Sequence, residues 1–530
     1  MHFDAMLSSP RRYAQAAWSR IIGKRLRSRL MLAPLLGRSR WAYALWLSQQ
    51  ETCPDYRANH TENGPSIVAL VPLGSGIELT LASLASENIE VRKVDRVQGS
   101  VFKELSAALS GLWVLPLASG DVLAPGAGAL YRKAAASASD DTQVIYADDD
   151  IIDERMRRSS PHLKPDWNSE LFKHFDYLTG SALIRAHQKD MGDLPETGWA
   201  QELVSRTVRR SEGAKRPVMH LHEILHHRRS RFSPVIPPPQ SLASQFGQCQ
   251  PSVSVIVPTR NRLDLLRNCL EGLARTEYAG PLEILVVDNG SDDSDTLNYL
   301  SGLEPVFAKV LRDDGPFNFA ALNNRAAEEA TGDLLCFLNN DIEIIDPAWL
   351  TMMAGQAQRE NIGAVGARLL YPDGRIQHAG VVLGVGGGAA HAHRLLDPSE
   401  AGYFSRHSVP QFVSAVTAAC LVVQRRKFLA IGGFDAENFA VSFNDVDLCM
   451  RLGTEGWHSL YEARATLVHH ESVSRGLDRD PVGAARLSRE VAVLQERWGP
   501  FNLETDKPRV IDPFHHPRLS RFSEQFVLEL

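Results

Sequence analysis

Apolar residues in this chain fall into short unbroken runs that alternate with longer stretches of helical period. The run SVSVIVPT (Ser252–Thr259) is β-branched and continuous, the pattern of a strand buried on both faces. Behind it, NRLDLLRNCLEGLA sets Leu263, Leu266, Leu270 and Leu273 at helical spacing, and LEILVVDNGSDD reads as a second buried strand. Strand, helix, strand in that rhythm predicts an α/β unit with a mostly parallel central sheet. The rhythm occurs twice. SIVALVPL (Ser66–Leu73) repeats the first run, and GLWVLPLASGDVLAP (Gly111–Pro125) parallels GDLLCFLNNDIEIIDP (Gly332–Pro347). Between the copies, RFSPVIPPPQSLASQFGQCQP carries proline clusters that forbid a helix or a central strand, which marks a linker. Near the end, AARLSREVAVLQERW aligns Ala484, Leu487, Val491, Leu494 and Trp498 in one stripe and predicts a helical brace. The expected order is a basic segment (1–65), an α/β domain (66–232), a linker (233–251), a second α/β domain (252–475), and a C-terminal brace and tail (476–530).

Ligands of open parallel sheets sit beyond the carboxyl ends of the strands, where loops are free to carry polar groups. Three such ends in the second domain are polar: Pro258, Thr259, Arg260 and Asn261; Asp288, Asn289, Gly290, Ser291, Asp292 and Asp293; and Asn339, Asn340 and Asp341. One of these alone reads as a turn or a helix cap; three within one domain point to a ligand. A carboxylate repels phosphate, but a divalent ion between them reverses the sign. Mg²⁺ takes one or two carboxylates plus phosphate oxygens and water, a role suited to Asp341 with Glu343 nearby. Asn339 and Asn340 can hydrogen-bond ribose or phosphate without adding repulsion, and Asp288 can accept from the N–H of a uracil- or thymine-type base. In FNDVDLCMRL, Asp447 and Arg451 are four apart and read as a structural ion pair. Asp445 falls near the helix start, where the dipole favours the ionised form.

In order along 252–475, SVIVPTRNR, ILVVDNGSDD, PFNFAALNNRAA, GDLLCFLNND, GARLLYPDGRIQHAGVVLG, GGFDAENFAVSFNDVDLCMRL and VHHESVSRG resemble the family 2 glycosyltransferases of the GT-A fold that build bacterial surface polysaccharides. The resemblance implies that NND stands at the metal-binding DxD position, with Asp341 as its retained acid and Asn339 as a departure. It implies a divalent metal, Mg²⁺ or Mn²⁺, with a further ligand from VHHESVSRG: His469, or alternatively His470. The second acid of the family's ED motif lands on Asp445, which becomes the catalytic base, while Asn444 replaces the first. The implied reaction is a single displacement with inversion, from a nucleotide-sugar donor of UDP or dTDP type to a glycan or lipid-linked glycan. The implied donor contacts are Pro258, Thr259, Arg260, Asp288, Asn339 and Asn340, joined by Asn318, Asn323 and Arg325 from the segment PFNFAALNNRAAEEA closing over them. GVGGGAAHAH (Gly384–His393) is either a border of the acceptor site or a flexible loop.

Over 66–232 the likeness is looser, carried by VIYADDDIIDERMRRSSPHLKPDWNSELF and MHLHEILHHRRS, and it implies a second, degenerate GT-A-like module. Its strand-end cluster is Ala118, Ser119, Gly120 and Asp121, so at most one acid survives, and TGWAQELVSRTV offers only Glu202 as a base. Asp148, Asp149 and Asp150 read as a solvated turn after a strand. The expectation is a module that positions the acceptor or supports its neighbour; a bifunctional enzyme and a non-catalytic binder of nucleotide sugars are the alternatives. A nucleotidyltransferase would carry a glycine-rich phosphate loop after the first strand, and PTRNRLD has none.

Composition narrows the surroundings. A net charge of −6 gives no reason to expect nucleic acid. Six scattered cysteines without a CxxC pair suit a reducing cytoplasm. No run reaches the ~20 apolar residues of a membrane span, and the N-terminus lacks the apolar core and cleavage site of a signal peptide. Yet nine Lys/Arg and no acid lie between Asp4 and Glu51, interleaved with Trp18, Ile21, Ile22, Leu26, Leu30, Leu32, Leu35 and Leu36. Residues 8–46 therefore read either as a peripheral contact with an anionic membrane surface or as a solvated helix or tail.

Overall fold

Two mixed β-sheets organise the chain, and they follow one path. The computed structural model describes residues 1–51, 64–94, 108–238, 250–303, 307–470, 481–499 and 512–530. The first sheet runs in space through Glu90–Val94, Ile67–Pro72, Trp113–Pro116, Ala182–Arg185, Val144–Ile152, Val218–Arg228 and Val122–Leu123. The second starts from an additional edge strand, Lys309–Arg312, and then runs through Leu282–Asp288, Val253–Thr259, Leu334–Leu338, Cys420–Gln424, Ile362–Leu370, His458–His469 and Ile342–Ile344. Neighbour by neighbour, the relative directions agree: parallel, parallel, antiparallel, antiparallel, parallel, antiparallel. The duplication read from the repeated runs is thus a duplication of topology. Parallel pairing dominates only one edge of each sheet; Ala182–Arg185 and Cys420–Gln424 enter antiparallel and make the remainder mixed.

In the second unit all seven residues of Val253–Thr259 are buried, as an unbroken apolar run requires of a strand covered on both faces. Helices Leu263–Ala274 and Trp349–Ala357 cover one face through Leu266, Leu270, Leu273, Trp349 and Met353. Helices Phe319–Glu329 and Asn444–Thr454 cover the other through Leu322, Ala326, Leu448 and Leu452. Each large side chain so enclosed stabilises the fold by ~1.5–3 kcal/mol.

Two expectations need correction. The run Asp148–Asp150 is no solvated turn: it lies inside the strand Val144–Ile152, with all three carboxylates fully buried. Cations hold it there. Asp149 pairs with Lys164 at 2.8 Å and with Arg231, and Asp150 pairs with Arg158 at 2.5 Å and His227 at 2.7 Å. The C-terminal helix, Pro481–Trp498, exists, but only Leu494 of its expected stripe is buried. Its anchors are polar: buried Glu490 accepts from Val441 N–H at 3.0 Å, and Trp498 Nε1–H donates to Asp447 at 3.0 Å.

The basic N-terminal segment forms helices His2–Ser8, Pro10–Ile21, Arg25–Gly37 and Ala42–Glu51. Phe3, Leu7, Trp18, Ile21 and Leu26 stand exposed on them. Among the described residues no helix is long and apolar enough to cross a membrane. Cys269, Cys336, Cys420 and Cys449 are buried thiols; Cys53 and Cys249 lie outside the described residues.

Candidate active site

The three polar strand ends of the second unit converge on one cavity of about 560 Å³. Pro258, Thr259 and Arg260 line it from the first strand, Asn289 from the second, and Asn339, Asn340 and Asp341 from the third. His469 enters from the end of His458–His469, which pairs Ile342 with His469 and so brings the histidine beside the third strand end. Asn340 Nδ2–H donates to Thr259 Oγ1 at 3.0 Å, tying two of the strand ends together.

Asp341 and His469 form the polar floor. The Asp341 carboxylate is buried, and its Oδ1 lies 3.1 Å from His469 Nε2 without an aligned hydrogen-bond donor. Burial raises the Asp341 pKa, and a protonated His469 at this distance would more than reverse this, leaving it below the usual value. His469 Nδ1 lies 2.7 Å from Gln377 Oε1, an atom that only accepts, so Nδ1 carries the hydrogen. In the neutral ring Nε2 then presents a lone pair towards Asp341, with the Asn339 amide 3.4 Å away. A buried carboxylate oxygen facing an imidazole lone pair, with the ring oriented by its other nitrogen, is a donor set that fits a divalent cation. His470 points elsewhere, to Glu343 at 3.0 Å, and neither lines the cavity.

Asp445 is the second residue of Asn444–Thr454. Phe443 before it adopts φ 60°, a left-handed turn that costs a non-glycine residue ~1–3 kcal/mol and swings the helix start into the cavity wall. Asp445 Oδ2 accepts from Ala418 N–H at 3.1 Å and Oδ1 from Val446 N–H at 2.8 Å. Despite these donors and the dipole, burial dominates and raises its pKa, contrary to the expectation that the dipole would prevail. Asn444 is buried and donates to Val441 O at 2.8 Å, so the residue replacing an acid shapes the turn. Asp447 is structural as read, pairing with Arg451 at 2.7 Å and Arg497 at 2.8 Å.

Other predicted contacts fall outside the lining. Asp288 is buried and accepts from Arg312 and from Ser291 N–H at 3.0 Å; its neighbour Asn289 faces the cavity instead. Asn318 caps Phe319–Glu329 by accepting from Ala321 N–H at 2.9 Å, Asn323 donates within the helix to Phe319 O at 2.7 Å, and Arg325 pairs with Asp313 at 2.8 Å. The helix turns Phe319 and Leu322, three apart, towards the site, where Phe317 joins them. The glycine-rich stretch is ordered into the strand Ala389–His391, whose residues form another wall. Sequence reasoning missed Gln377 and the Thr417–Ala419 backbone, which orient His469 and Asp445; single polar residues give no periodic signal.

Residues 254–386 match the model described as glycosyl transferase family 2. Residues 254–386, in the second unit, are a family 2 glycosyltransferase domain. The chain is 35% identical over 498 residues to an uncharacterized protein of Sinorhizobium fredii, covering 84% of this chain and 53% of that one. It is 34% identical to the O-antigen biosynthesis protein RfbC of Myxococcus xanthus, covering 78% of this chain and 34% of that one. The chain thus spans about half and about a third of the length of these relatives. An N-acetylglucosaminyl-diphospho-decaprenol L-rhamnosyltransferase of Mycobacterium tuberculosis is 27% identical over 38% of the chain and 70% of its own length. Among solved structures, a Pyrobaculum calidifontis mannosyltransferase in complex with GDP-Man and Mn²⁺ aligns with TM-score 0.35 and 19% identity, over 47% of this chain and 66% of that one.

The duplicated topology fixes what the first unit holds at the same places. Trp113 pairs with Ile67 as Leu334 pairs with Val253, so Gly120, seven residues on, stands where the glycosyltransferase domain has Asp341. Asp150 faces His227 as Leu370 faces Val468, so the next residue, Arg228, stands where the domain has His469. Asp121 therefore falls one place beyond the DxD-like position, which carries no acid. It is buried, accepts from Arg229 N–H at 2.8 Å, and lies 3.7 Å from Arg228 Nε. The helix corresponding to Asn444–Thr454 is Trp199–Arg210, whose second residue is Ala200; Glu202 pairs with Arg206 at 2.7 Å.

Proposed function

We infer that the family 2 domain moves a sugar from a nucleotide-sugar donor to a hydroxyl of a surface glycan. The observation that carries this is the joint presence, in one cavity, of the Asp341–His469 pair and of Asp445. Asp341 and His469 would hold the divalent ion, Mg²⁺ or Mn²⁺, which when bound offsets the charge of a nucleoside diphosphate. Thr259, Asn289, Asn339 and Asn340 offer neutral hydrogen-bonding groups to ribose and phosphate, and Phe317 and Phe319 supply apolar surface for a base. Asp445 takes the proton of the acceptor hydroxyl as that oxygen forms a bond to the anomeric carbon and the bond to the diphosphate breaks. A carboxyl with a raised pKa, held by two backbone N–H groups, suits that role. Attack opposite the leaving group inverts the anomeric centre. A UDP- or dTDP-linked donor and a lipid-linked or growing glycan acceptor complete the reading, in keeping with the O-antigen relative. The test is release of nucleoside diphosphate from a set of nucleotide sugars with Mn²⁺ and acceptor glycan. Turnover lost in Asp445→Asn supports the assignment, and turnover retained overturns it.

The first unit (66–232) supports the second without catalysis. Gly120 and Arg228 at the cation-holding places, and Ala200 at that of the base, favour this over a bifunctional enzyme. The exposed Phe3, Leu7, Trp18, Ile21 and Leu26, among basic residues and no acid after Asp4, favour peripheral contact with the inner face of the membrane from a cytoplasmic location.

A further inference from the structure

The first unit carries a cluster that the transfer reaction does not use. His220 and His222 are two apart on the strand Val218–Arg228, so their side chains leave the same face, and their rings lie 4.3 Å apart. Asp166, from the segment after Arg158–His162, meets both: its Oδ1 is 3.0 Å from His220 Nδ1 and 2.8 Å from His222 Nε2. One carboxylate oxygen and two imidazole nitrogens converge on one spot, and Asp166 and His222 are each more than a third exposed there, which leaves room for water ligands.

The buried side of the cluster prepares His220 for such a role. Its Nε2 lies 3.0 Å from Asp148 Oδ1, and Tyr146 stacks on its ring at 4.3 Å with the planes 4° apart. Asp148 is fully buried, accepts from Lys164 N–H at 2.8 Å and lies 2.8 Å from His516 Nε2. With the Asp148 carboxylate at Nε2 holding the ring hydrogen there, the Nδ1 lone pair of the neutral ring is turned towards Asp166. A histidine whose far nitrogen is held by a carboxylate is the usual support of a metal-ligating imidazole. His516 is not itself a ligand, because its Nδ1 accepts from Arg518 N–H at 3.1 Å and its Nε2 therefore bears the hydrogen.

We propose that Asp166, His220 and His222 bind a divalent transition-metal ion of the zinc class, a site separate from the cation site of the glycosyltransferase domain. Two imidazoles, one carboxylate and water are the donors that Zn²⁺ and Co²⁺ favour. The Asp166 N–H donates to Pro513 O at 2.7 Å, and Arg518 pairs with Glu223, so the ion would fasten the first unit where the C-terminal segment 512–530 crosses it. The site needs no sugar transfer to be tested, so its fate and that of the proposed activity are independent.

Full-length chain carrying Asp341→Ala, and so lacking the acid of the other cation site, is freed of metal by a chelator and titrated with CoCl₂. The expected result is one equivalent bound, with visible absorption bands of nitrogen- and oxygen-ligated Co²⁺, displaced by ZnCl₂, which also raises Tm. Adding His222→Ala at this half-buried position, with an unchanged circular dichroism spectrum as the control for folding, or Asp166→Asn removes the bands and the Tm shift. Absence of stoichiometric binding would mean that His220 is simply protonated between its two carboxylates, and would overturn the site. Bands that survive both substitutions would overturn it equally.

Discussion

At the scale of single residues, the chemistry turns on where two carboxylates sit. Asp445 is half-buried in the cavity wall, and its raised pKa has a kinetic consequence. The base must be ionised to accept a proton, so activity disappears as pH falls through the raised value. The acid limb of kcat/KM should therefore lie above the ordinary carboxylate range near ~4. A pH–rate profile measures it; a limb at or below that range would show that another group is the base. Asp341→Asn should weaken Mn²⁺ binding by at least ~10-fold in a calorimetric titration while leaving the fold intact, a loss in the range seen when metal-site partners are removed. Asp341, Asp445 and the two asparagines were legible because they end apolar runs or begin a helix, positions where a polar residue has no packing reason to be, whereas His469 was reached only through the family likeness. Asn318, Asn323 and Arg325 misled because a helix that closes over a site spends its polar residues on its cap, its own backbone and a surface ion pair. Gln377 was invisible, since only the tertiary structure places it behind His469.

At the scale of elements, register carries the information that sequence alignment blurs. The sequence shows that two copies exist; only the pairing shows that Gly120 and Arg228 replace Asp341 and His469. Asp121 itself is pushed up to about 6 by burial, against Arg228 and the Arg229 N–H. Asp121→Asn should therefore leave transfer within about 3-fold of wild type, a shift below ~1 kcal/mol. A loss as large as that of Asp341→Asn in the same assay would speak for a catalytic first unit. The strand Val144–Ile152 gives a second expectation. Burial opposes ionisation of Asp149, yet its cationic partners Lys164, Arg231 and Arg228 lower its pKa. A folded value below the unfolded one contributes stability that is complete above about pH 4 and is lost as pH falls below it. Thermal melts should show Tm beginning to fall below about pH 6.5, where the buried neutral His162, His226, His378 and His393 resist protonation, and dropping more steeply below 4; a monotonic rise on acidification would contradict the buried network. The run was misread as a turn because three consecutive acids look solvated unless their distant partners, Lys164, Arg231 and His227, are known.

At the scale of the whole molecule, the ends of the chain join its parts. Tyr43 and Trp46 from the N-terminal helices, Leu163 and Ile224 from the first unit, Val382, Val385 and Ala392 from the hairpin that pairs Val381–Leu383 with Ala389–His391, and Leu519 and Phe526 from the C-terminal segment share one apolar cluster. Leu383 N–H donates to the buried Asp512 at 2.8 Å, so that segment also braces the hairpin. The exposed apolar residues of the N-terminal helices lie outside this cluster. Vesicles containing phosphatidylglycerol should co-sediment the protein in a salt-sensitive way, and Trp18→Ser with Ile21→Ser should reduce binding by at least ~10-fold. Equal binding by neutral vesicles would remove the electrostatic part of this account. The most direct measurement remains nucleoside diphosphate release with Mn²⁺, a nucleotide sugar and acceptor glycan, comparing wild type with Asp445→Asn. The expected outcome is a fall in kcat of ~10²–10⁴ with donor binding unchanged; an Asp445→Asn enzyme turning over at the wild-type rate would contradict it.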